Sequence, residues 1–107
     1  MRPVYRLQII TPQGAAYKTD AIHTFLPAED GFVGVLANHA PYVTSVAGGR
    51  LEVSERGGVT KKFQVGSGFF EVAGNEAVLL TQSFANSEAL PLSPHPPPLP
   101  QRGRGGG

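Results

Sequence analysis

The side chains able to do chemistry in this sequence are few and scattered. The three histidines, His23, His39 and His95, have no further ligands at metal-binding spacing, and cysteine is absent, so no metal site is expected. Ser67 lies in Gly66-Ser67-Gly68, which lacks the G-x-S-x-G pattern and the following helix of a nucleophile elbow. These types and spacings predict neither a metalloenzyme nor a serine hydrolase.

Two carboxylates, Glu29 and Asp30, stand side by side in front of Gly31. Neighbouring residues of a strand or turn point in different directions, so this pair is poorly arranged for general acid and base catalysis. The sequence contains neither a Walker loop nor a dinucleotide-binding glycine pattern. No catalytic residue and no cofactor is therefore expected, and the chain is predicted not to be an enzyme.

The charge of the chain is balanced. Seven Lys or Arg residues and seven Asp or Glu residues lie between Met1 and Asn86, out of nine and eight in the whole chain. A nucleic-acid-binding domain carries a basic face that neutralises phosphates, so nucleic acid is not an expected partner. The opening residues show no signal-peptide pattern, and no run of about 18 apolar residues predicts a membrane span.

The elements that must position any functional side chain are short β-strands. In Val4–Ile10, residues Tyr5, Leu7 and Ile9 alternate with outward positions, as in a half-buried strand. Ala15–Lys18 and Ile22–Leu26 are predicted as two separate strands, the second stopped by Pro27 because proline removes a ladder donor.

The segments that follow are also predicted as short β-strands. Phe32–Leu36 is apolar but interrupted by Gly34, which predicts a bulged or bent strand. A Gly-Gly pair between Arg50–Glu55 and Val59–Val65 predicts a hairpin. A second hairpin is expected after the glycine corner at Ser67, with Phe70 and Val72 paired to Val78 and Leu80 or their neighbours.

Turn signals recur every 8–12 residues up to Asn86, a spacing typical of a β-sandwich or barrel. The composition then changes: six of the ten prolines lie between Pro91 and Pro100, and the chain ends in RGRGGG. Proline blocks both ladders and helices. We therefore expect an all-β domain over residues 1–86 and a flexible Pro/Gly-rich tail over residues 87–107, with a P-x-x-P-x-R pattern at residues 97–102.

The segment from Glu29 to Ser45 is too rich in large apolar groups for an ordinary solvated loop. It contains the apolar or aromatic residues Phe32, Val33, Val35, Leu36 and Tyr42. Val35 and Leu36 are expected to fill the core, and the others are candidates for an interaction surface.

This segment resembles the epsilon subunit of F-type ATP synthases, the counterpart of the mitochondrial delta subunit. The resemblance rests on G-V-L-A-N-H-A-P at residues 34–41, on the Thr11-Pro12 turn, on G-S-G-F-F-E-V at residues 66–72 and on the strand Asn75–Leu80. These motifs follow one another in order between Val4 and Phe84, so the resemblance covers most of the chain.

The resemblance implies a β-sandwich of about ten short strands that does no bond chemistry itself. It implies a rotor role at the base of the central stalk, where the domain docks the gamma subunit to the membrane ring of c subunits and helps to couple ion flow to ATP synthesis. The expected location is the cytoplasmic face of a bacterial inner membrane, with attachment to the membrane only through the complex.

The resemblance also implies which residues make the contacts. The c-ring interface is expected at Glu29, Asp30, Gly31, Phe32 and Val33, and the gamma interface at His39, Ala40, Pro41 and Tyr42. Phe32 stands where many members carry an acidic residue, with Glu29 and Asp30 placed slightly earlier. Ala37-Asn38 replaces the usual Pro-Gly, and asparagine accepts the left-handed conformation that such a turn needs.

Typical bacterial and chloroplast members continue into two helices that inhibit ATP hydrolysis, and residues 87–107 do not match them. Inhibition by such a helical hairpin is therefore expected to be absent. Two other functions stay open at this point. One is a free-standing β-sandwich interaction module whose proline-rich tail binds a groove-type partner, and the other is a small hydrolase or metalloenzyme.

Overall fold

A computed structural model describes residues 3–86, which form nine β-strands and no helix. The strands are β1 (Tyr5–Thr11), β2 (Gly14–Ala28), β3 (Gly31–Leu36), β4 (Tyr42–Val46), β5 (Gly49–Glu55), β6 (Thr60–Val65), β7 (Gly68–Ala73), β8 (Glu76–Thr81) and β9 (Phe84–Asn86). The all-β prediction is confirmed. The predicted tail and the expectation about a helical hairpin concern residues 87–107, which lie outside the described residues.

The strand β2 corrects one sequence prediction. Residues 14–28 form one continuous 15-residue strand rather than two strands ending before Pro27. The Pro27 carbonyl accepts a hydrogen bond from the Ala47 amide at 2.9 Å, on the side away from β3. Because the N–H and C=O of a strand residue point to the same side, the donor that proline lacks is not needed for the ladder with β3. Pro27 therefore lies within the strand.

The strand β2 links two layers. Its first half pairs with β1, and its second half pairs with β3 on one side and β5 on the other. The register with β5 shifts between Ala21 and His23, so a bulge lies where the strand passes from one layer to the next. A single bridge between Ala28 and Val46 joins β2 to β4, which closes a ring in the order β1, β8, β7, β4 and β2.

The two layers enclose one apolar core. One layer contains β1, β8, β7 and β4, and the other contains β3, the second half of β2, β5, β6 and β9. Tyr5, Leu7 and Ile9 are buried, as their alternation predicts. Fully or almost fully buried side chains from both layers complete the core: Leu26, Val35, Val46, Leu51, Val53, Phe63, Val65, Phe70, Val72 and Leu79.

The structure corrects two sequence predictions about β3. The register of β3 against β2 is continuous through Gly34, so no bulge occurs there, and the His23 ring occupies the space beside this glycine instead. Val35 is buried as expected, but Leu36 is 56% exposed because neighbouring strand residues point to opposite faces.

In the second predicted hairpin, β7–β8, the partners of Phe70 and Val72 are the residues next to Val78 and Leu80. Phe70 lies opposite Leu79 and Val72 lies opposite Ala77, and these four side chains point inward. Val78 and Leu80, the first choice of partners from the sequence, consequently point to the outer surface.

A buried hydroxyl connects three strands inside the core. The Tyr5 hydroxyl is hydrogen-bonded to the Thr24 hydroxyl and donates to the Val35 carbonyl oxygen at 3.0 Å. Both Tyr5 and Thr24 are 1% exposed. Burial raises the pKa of Tyr5 to about 12, and the hydrogen bond with Thr24 opposes that rise.

The predicted glycine corner between β6 and β7 is present. The Gly66 amide donates to the Ser83 carbonyl and the Gln82 amide donates to the Ser67 carbonyl, both at 3.0 Å. A Cβ atom on Gly68 would lie 1.8 Å from the Leu80 carbonyl oxygen, which belongs to the backbone of the paired strand. Only glycine fits at position 68.

Gly68→Ala is expected to lower the free energy of unfolding by about 3 kcal/mol, because two paired backbones would have to separate. The matched control is Gly34→Ala, where the new methyl group meets only the movable end of the His23 side chain. Urea denaturation of both variants measures the difference. An equal loss in the two variants would contradict the steric argument.

Tyr5→Phe is expected to lower the free energy of unfolding by about 1–3 kcal/mol at pH 7, since it leaves the buried Thr24 hydroxyl and Val35 carbonyl without this hydrogen-bond partner. The unfolded chain loses the phenol proton near pH 10, whereas the folded protein holds it to about pH 12. The stabilisation that comes from the protonated Tyr5 is thus complete below pH 10 and is lost as the pH rises toward 12.

The measurement is denaturant unfolding of wild type and Tyr5→Phe at intervals from pH 7 to pH 12. The stability gap between them should shrink above pH 10, by about 2–3 kcal/mol in the limit of a two-unit pKa difference. Tyr42→Phe, which removes a phenol hydroxyl that takes no part in the hydrogen bonds of Tyr5, is the control. A gap that stays constant to pH 12 would show that Tyr5 is not held protonated by burial.

Candidate functional site

The residues expected at the first interface lie at the tip of the β2–β3 hairpin. Glu29 and Asp30 form the two-residue turn, and Gly31 closes it with a φ of 123°, which favours glycine. These three residues and Phe32 are exposed. Val33 differs from them, because its side chain packs against the core. The structure thus brings four of the five residues to one surface.

Phe32 adjoins the hairpin tip and is part of an exposed apolar surface on β2 and β3. Its ring stacks on Phe25 with centroids 4.8 Å apart and planes 4° from parallel. Leu36 lies on the same side of β3, and the His23 ring covers Gly34 between Phe32 and Leu36. We call Phe25, Phe32 and Leu36 the Phe32 face. Their exposed fractions of 37%, 57% and 56% are unusual for three neighbouring large apolar side chains.

The residues expected at the second interface lie at the other end of β3. The loop 37–41 follows Leu36, so it is separated from the hairpin tip by the length of a six-residue strand, about 17 Å. The His39 and Tyr42 rings are 5.6 Å apart, and His39 Nδ1 is 2.7 Å from the Ala40 carbonyl oxygen. Ala40 and Pro41 are exposed, whereas Tyr42 packs partly against the core.

Two asparagines hold this loop in place. Asn38 has a φ of 65° and Asn75 a φ of 60°, so both adopt the left-handed conformation. The Asn38 amide donates to Asn75 Oδ1 at 2.6 Å, and Asn75 Nδ2 donates to Asn38 Oδ1 at 3.0 Å. The Asn75 carbonyl in turn accepts from the Arg6 amide at 2.9 Å. The left-handed Asn38 was expected from the sequence, but its link to the β7–β8 turn was not.

The outer side of the opposite layer carries a second exposed surface that the sequence analysis missed. Cross-strand register places Ile10, Leu80 and Phe69 in one row. The next row contains Val78, Glu71 and Val43. We call these six residues the Phe69 face. Phe69, Leu80 and Val43 are 60%, 49% and 65% exposed, and the strand alternation of β7 was the signal that could have revealed them.

The Phe69 face adjoins both predicted interfaces. Val43 directly follows Tyr42 on β4. An open groove of about 460 Å³ extends from Ile10 and Phe69 to Glu29 at the hairpin tip. A smaller groove of about 130 Å³ lies on the face itself, lined by Val43, Phe69, Phe70, Glu71, Val78 and Leu80.

Within residues 3–86 the structure assembles no catalytic or metal-binding cluster. No three His, Asp or Glu side chains in that range approach one another as metal ligands would. Ser67 lies in the glycine corner, and no histidine lines the groove beside it. Residues 3–86 contain no helix that is long and apolar enough to cross a membrane. The arrangement offers surfaces for contact with other proteins.

The chain is similar to known proteins over most of its described length. Residues 4–87 match the family profile described as "ATP synthase, Delta/Epsilon chain, beta-sandwich domain". An ATP synthase epsilon chain from Chlorobaculum tepidum is 35% identical over 81 residues, which are 76% of this chain and 92% of the relative. An epsilon chain from a Sulfurihydrogenibium species is 32% identical over 79 residues, which are 74% of this chain and 59% of the relative.

Solved structures show the same fold. The match to a chain in the mitochondrial ATP synthase of Euglena gracilis has a TM-score of 0.77 at 22% identity, and it covers 85% of this chain and 58% of that one. A match to a chain in the central stalk and c-ring of the Tetrahymena thermophila enzyme has a TM-score of 0.66 at 13% identity, over 82% and 70% of the two chains.

Asn75→Gly is expected to lower the free energy of unfolding by about 1–2 kcal/mol and to speed hydrogen exchange of the Asn38 amide. Glycine keeps the left-handed backbone but removes both side-chain hydrogen bonds. Asn75→Asp is the control, because it keeps an acceptor for the Asn38 amide. Exchange followed by NMR should rise less in Asn75→Asp, and equal protection in Asn75→Gly and wild type would contradict the role of this link.

Proposed function

This chain belongs to the ATP synthase delta/epsilon family, and we propose that it is a noncatalytic subunit of the central stalk that docks the gamma subunit to the c-ring. The observation that carries the proposal is the family match over residues 4–87. The domain contributes to rotation-coupled ATP synthesis by holding two rotor parts together. It has no catalytic residues of its own and binds no cofactor. It acts at the cytoplasmic face of a bacterial inner membrane, attached through the complex.

The geometry supports two separate contacts. The hairpin tip and the loop 37–41 lie at opposite ends of β3, so one rigid strand separates them. A partner bound at one end leaves the other end free for a second partner. This is the arrangement that a connector between two subunits requires.

The hairpin tip, with Glu29, Asp30, Gly31 and Phe32, faces the c-ring in this proposal. Its two carboxylates are exposed and form no ion pair within residues 3–86. They are available to donors on polar loops of a ring. Phe32 adds an apolar contact whose orientation is fixed by stacking on Phe25. Val33 supports the tip from the core side.

The loop 37–41 and Tyr42 face gamma. Ala40 and Pro41 form the exposed part of this contact, His39 is partly exposed beside them, and Tyr42 supports it by packing on the core. The Asn38–Asn75 hydrogen bonds limit the movement of this loop. A preorganised loop loses little conformational entropy when it binds, which favours tight docking.

The closed strand ring suits a part that transmits torque. Each strand of the ring is hydrogen-bonded on both sides, and the core between the layers is filled by large apolar side chains. Close-packed interiors have low compressibility. In this proposal residues 1–86 are the docking domain and residues 87–107 are a separate extension that docking does not need.

The test combines the full chain with the gamma subunit and the c-ring of the same synthase. The chain should elute with gamma in size-exclusion chromatography, and deletion of residues 91–107 should leave that binding unchanged. A folded chain that does not bind gamma would overturn the proposed function. Binding that disappears with residues 91–107 would instead indicate an interaction module that works through its proline-rich segment.

Charge reversal at the hairpin tip separates the two contacts. Glu29→Lys combined with Asp30→Lys is expected to weaken retention on a c-ring at least tenfold while gamma binding stays within twofold of wild type. Gln64→Lys, which adds a positive charge at an exposed position of β6, two strands away from β2, is the control and should change neither affinity. Loss of gamma binding together with c-ring binding would contradict the separation of the two sites.

A further inference from the structure

The strand β3 has one free edge. Within residues 3–86 its only partner is β2. Pro27 on β2 lies opposite Phe32, and the Pro27 carbonyl is bonded to the Ala47 amide on the side away from β3. Facing residues of an antiparallel pair turn their backbone groups either toward each other or away from each other. The N–H and C=O groups of Phe32 therefore point to the free edge.

The same orientation recurs at every second residue of β3. The backbone N–H and C=O groups of Phe32, Gly34 and Leu36 consequently form one row along the free edge. No residue in the range 3–86 supplies a backbone partner for this row. An unpaired row of this kind is a template on which a further strand can add.

The features that usually protect an edge strand from pairing are absent from β3. The strand reads G-F-V-G-V-L, without a charged residue or a proline, and its register against β2 contains no bulge. The other edge strand of this layer, β9, is only three residues long and is protected by its shortness. The six residues of β3 have no such protection.

The pattern of β3 selects a second copy of itself as the partner. Six prolines lie between Pro91 and Pro100, and proline has no N–H for a ladder, so that segment is a poor partner for this edge. A second β3 that runs antiparallel with Gly34 opposite Gly34 places Phe32 opposite Leu36 on both sides of the glycine. This register alone pairs all three outward residues at once, and each pair exchanges both of its backbone hydrogen bonds.

We infer that the chain forms a two-fold symmetric dimer in which the free edges of two β3 strands pair antiparallel about Gly34. The dimer joins the layers that contain β3 into one sheet across both copies. An isologous contact of this kind needs a self-complementary surface, and the spacing of Phe32, Gly34 and Leu36 supplies it. The inference concerns the free chain and does not rest on the proposed function.

The side chains on the solvent side of β3 support the same register. Phe32 and Leu36 are 57% and 56% exposed, and cross-strand pairing would bring them into contact across the two copies. The Phe32 ring is already oriented by stacking on Phe25. The contact consists of one strand edge and a few side chains, less than the roughly 1,600 Å² of a standard interface, so a weak dimer is expected.

The first test is sedimentation equilibrium of the full chain from low micromolar to millimolar concentration. The average mass should rise from that of one chain toward that of two. Leu36→Lys is expected to weaken dimerisation at least tenfold, because it places a charge on the edge opposite Phe32. Val59→Lys is the matched control at an equally exposed apolar residue outside β3 and should stay within twofold of wild type. Thermal unfolding verifies that both variants are folded.

The second test identifies the edge and its register by NMR. The amides of Phe32, Gly34 and Leu36 should exchange rapidly in dilute solution and become protected as the concentration rises. The amides of Val33 and Val35 face β2 and should be protected at every concentration. A mixture of labelled and unlabelled chains should show a contact between the Hα atoms of Val33 in one copy and Val35 in the other, which form a close non-hydrogen-bonded pair in this register.

Three outcomes would overturn the inference. A chain that remains monomeric to millimolar concentration does not pair through β3. A dimer that Leu36→Lys leaves as strong as in wild type uses another surface. A dimer that disappears on deletion of residues 91–107 depends on the proline-rich segment instead, whereas an unchanged dimer supports pairing through β3. None of these measurements involves gamma or the c-ring, so a failure here leaves the proposed function standing.

Discussion

The continuity of β2 through both layers is the constraint on which the rest of the structure depends. This one strand pairs with β1, β3, β4 and β5, so it joins the two halves of the fold covalently. The Tyr5 hydroxyl reaches across the core to Thr24 on β2 and to the Val35 carbonyl on β3. A buried polar group is costly unless it is paired, so this contact ties the position of β3 to that of β1.

That constraint also decides where the surfaces lie. With the inward side chains of β3 and β7 committed to the core, the alternate residues of the same strands must point outward. On β3 these are Phe32 and Leu36, and on β7 they are Phe69 and Glu71. Each outer side of the fold thus carries large exposed apolar groups, where outward strand positions are more often polar.

The sequence determined the class of fold, the absence of a metal-ligand pattern and the family. Three local patterns carried these predictions: the alternation of Tyr5, Leu7 and Ile9, the glycine pairs at regular spacing and the motif at residues 34–41. Such patterns involve residues close together in the chain, so they can be recognised without knowledge of the fold. The turn at Asn38 was predictable for the same reason, because left-handed backbone is a property of single residues. The Gly68 corner was predictable as a turn but not as a steric necessity.

Tertiary structure alone decided which faces those strands present. Pro27 lies inside β2 because its missing donor faces away from β3, and no pattern along the chain shows which side a donor faces. Leu36 is exposed and Phe70 is paired with Leu79 because a shift of one residue in register exchanges the two faces of a strand. Register is set by contacts between distant residues, so the Phe69 face and its lone carboxylate emerge only when the strands are assembled.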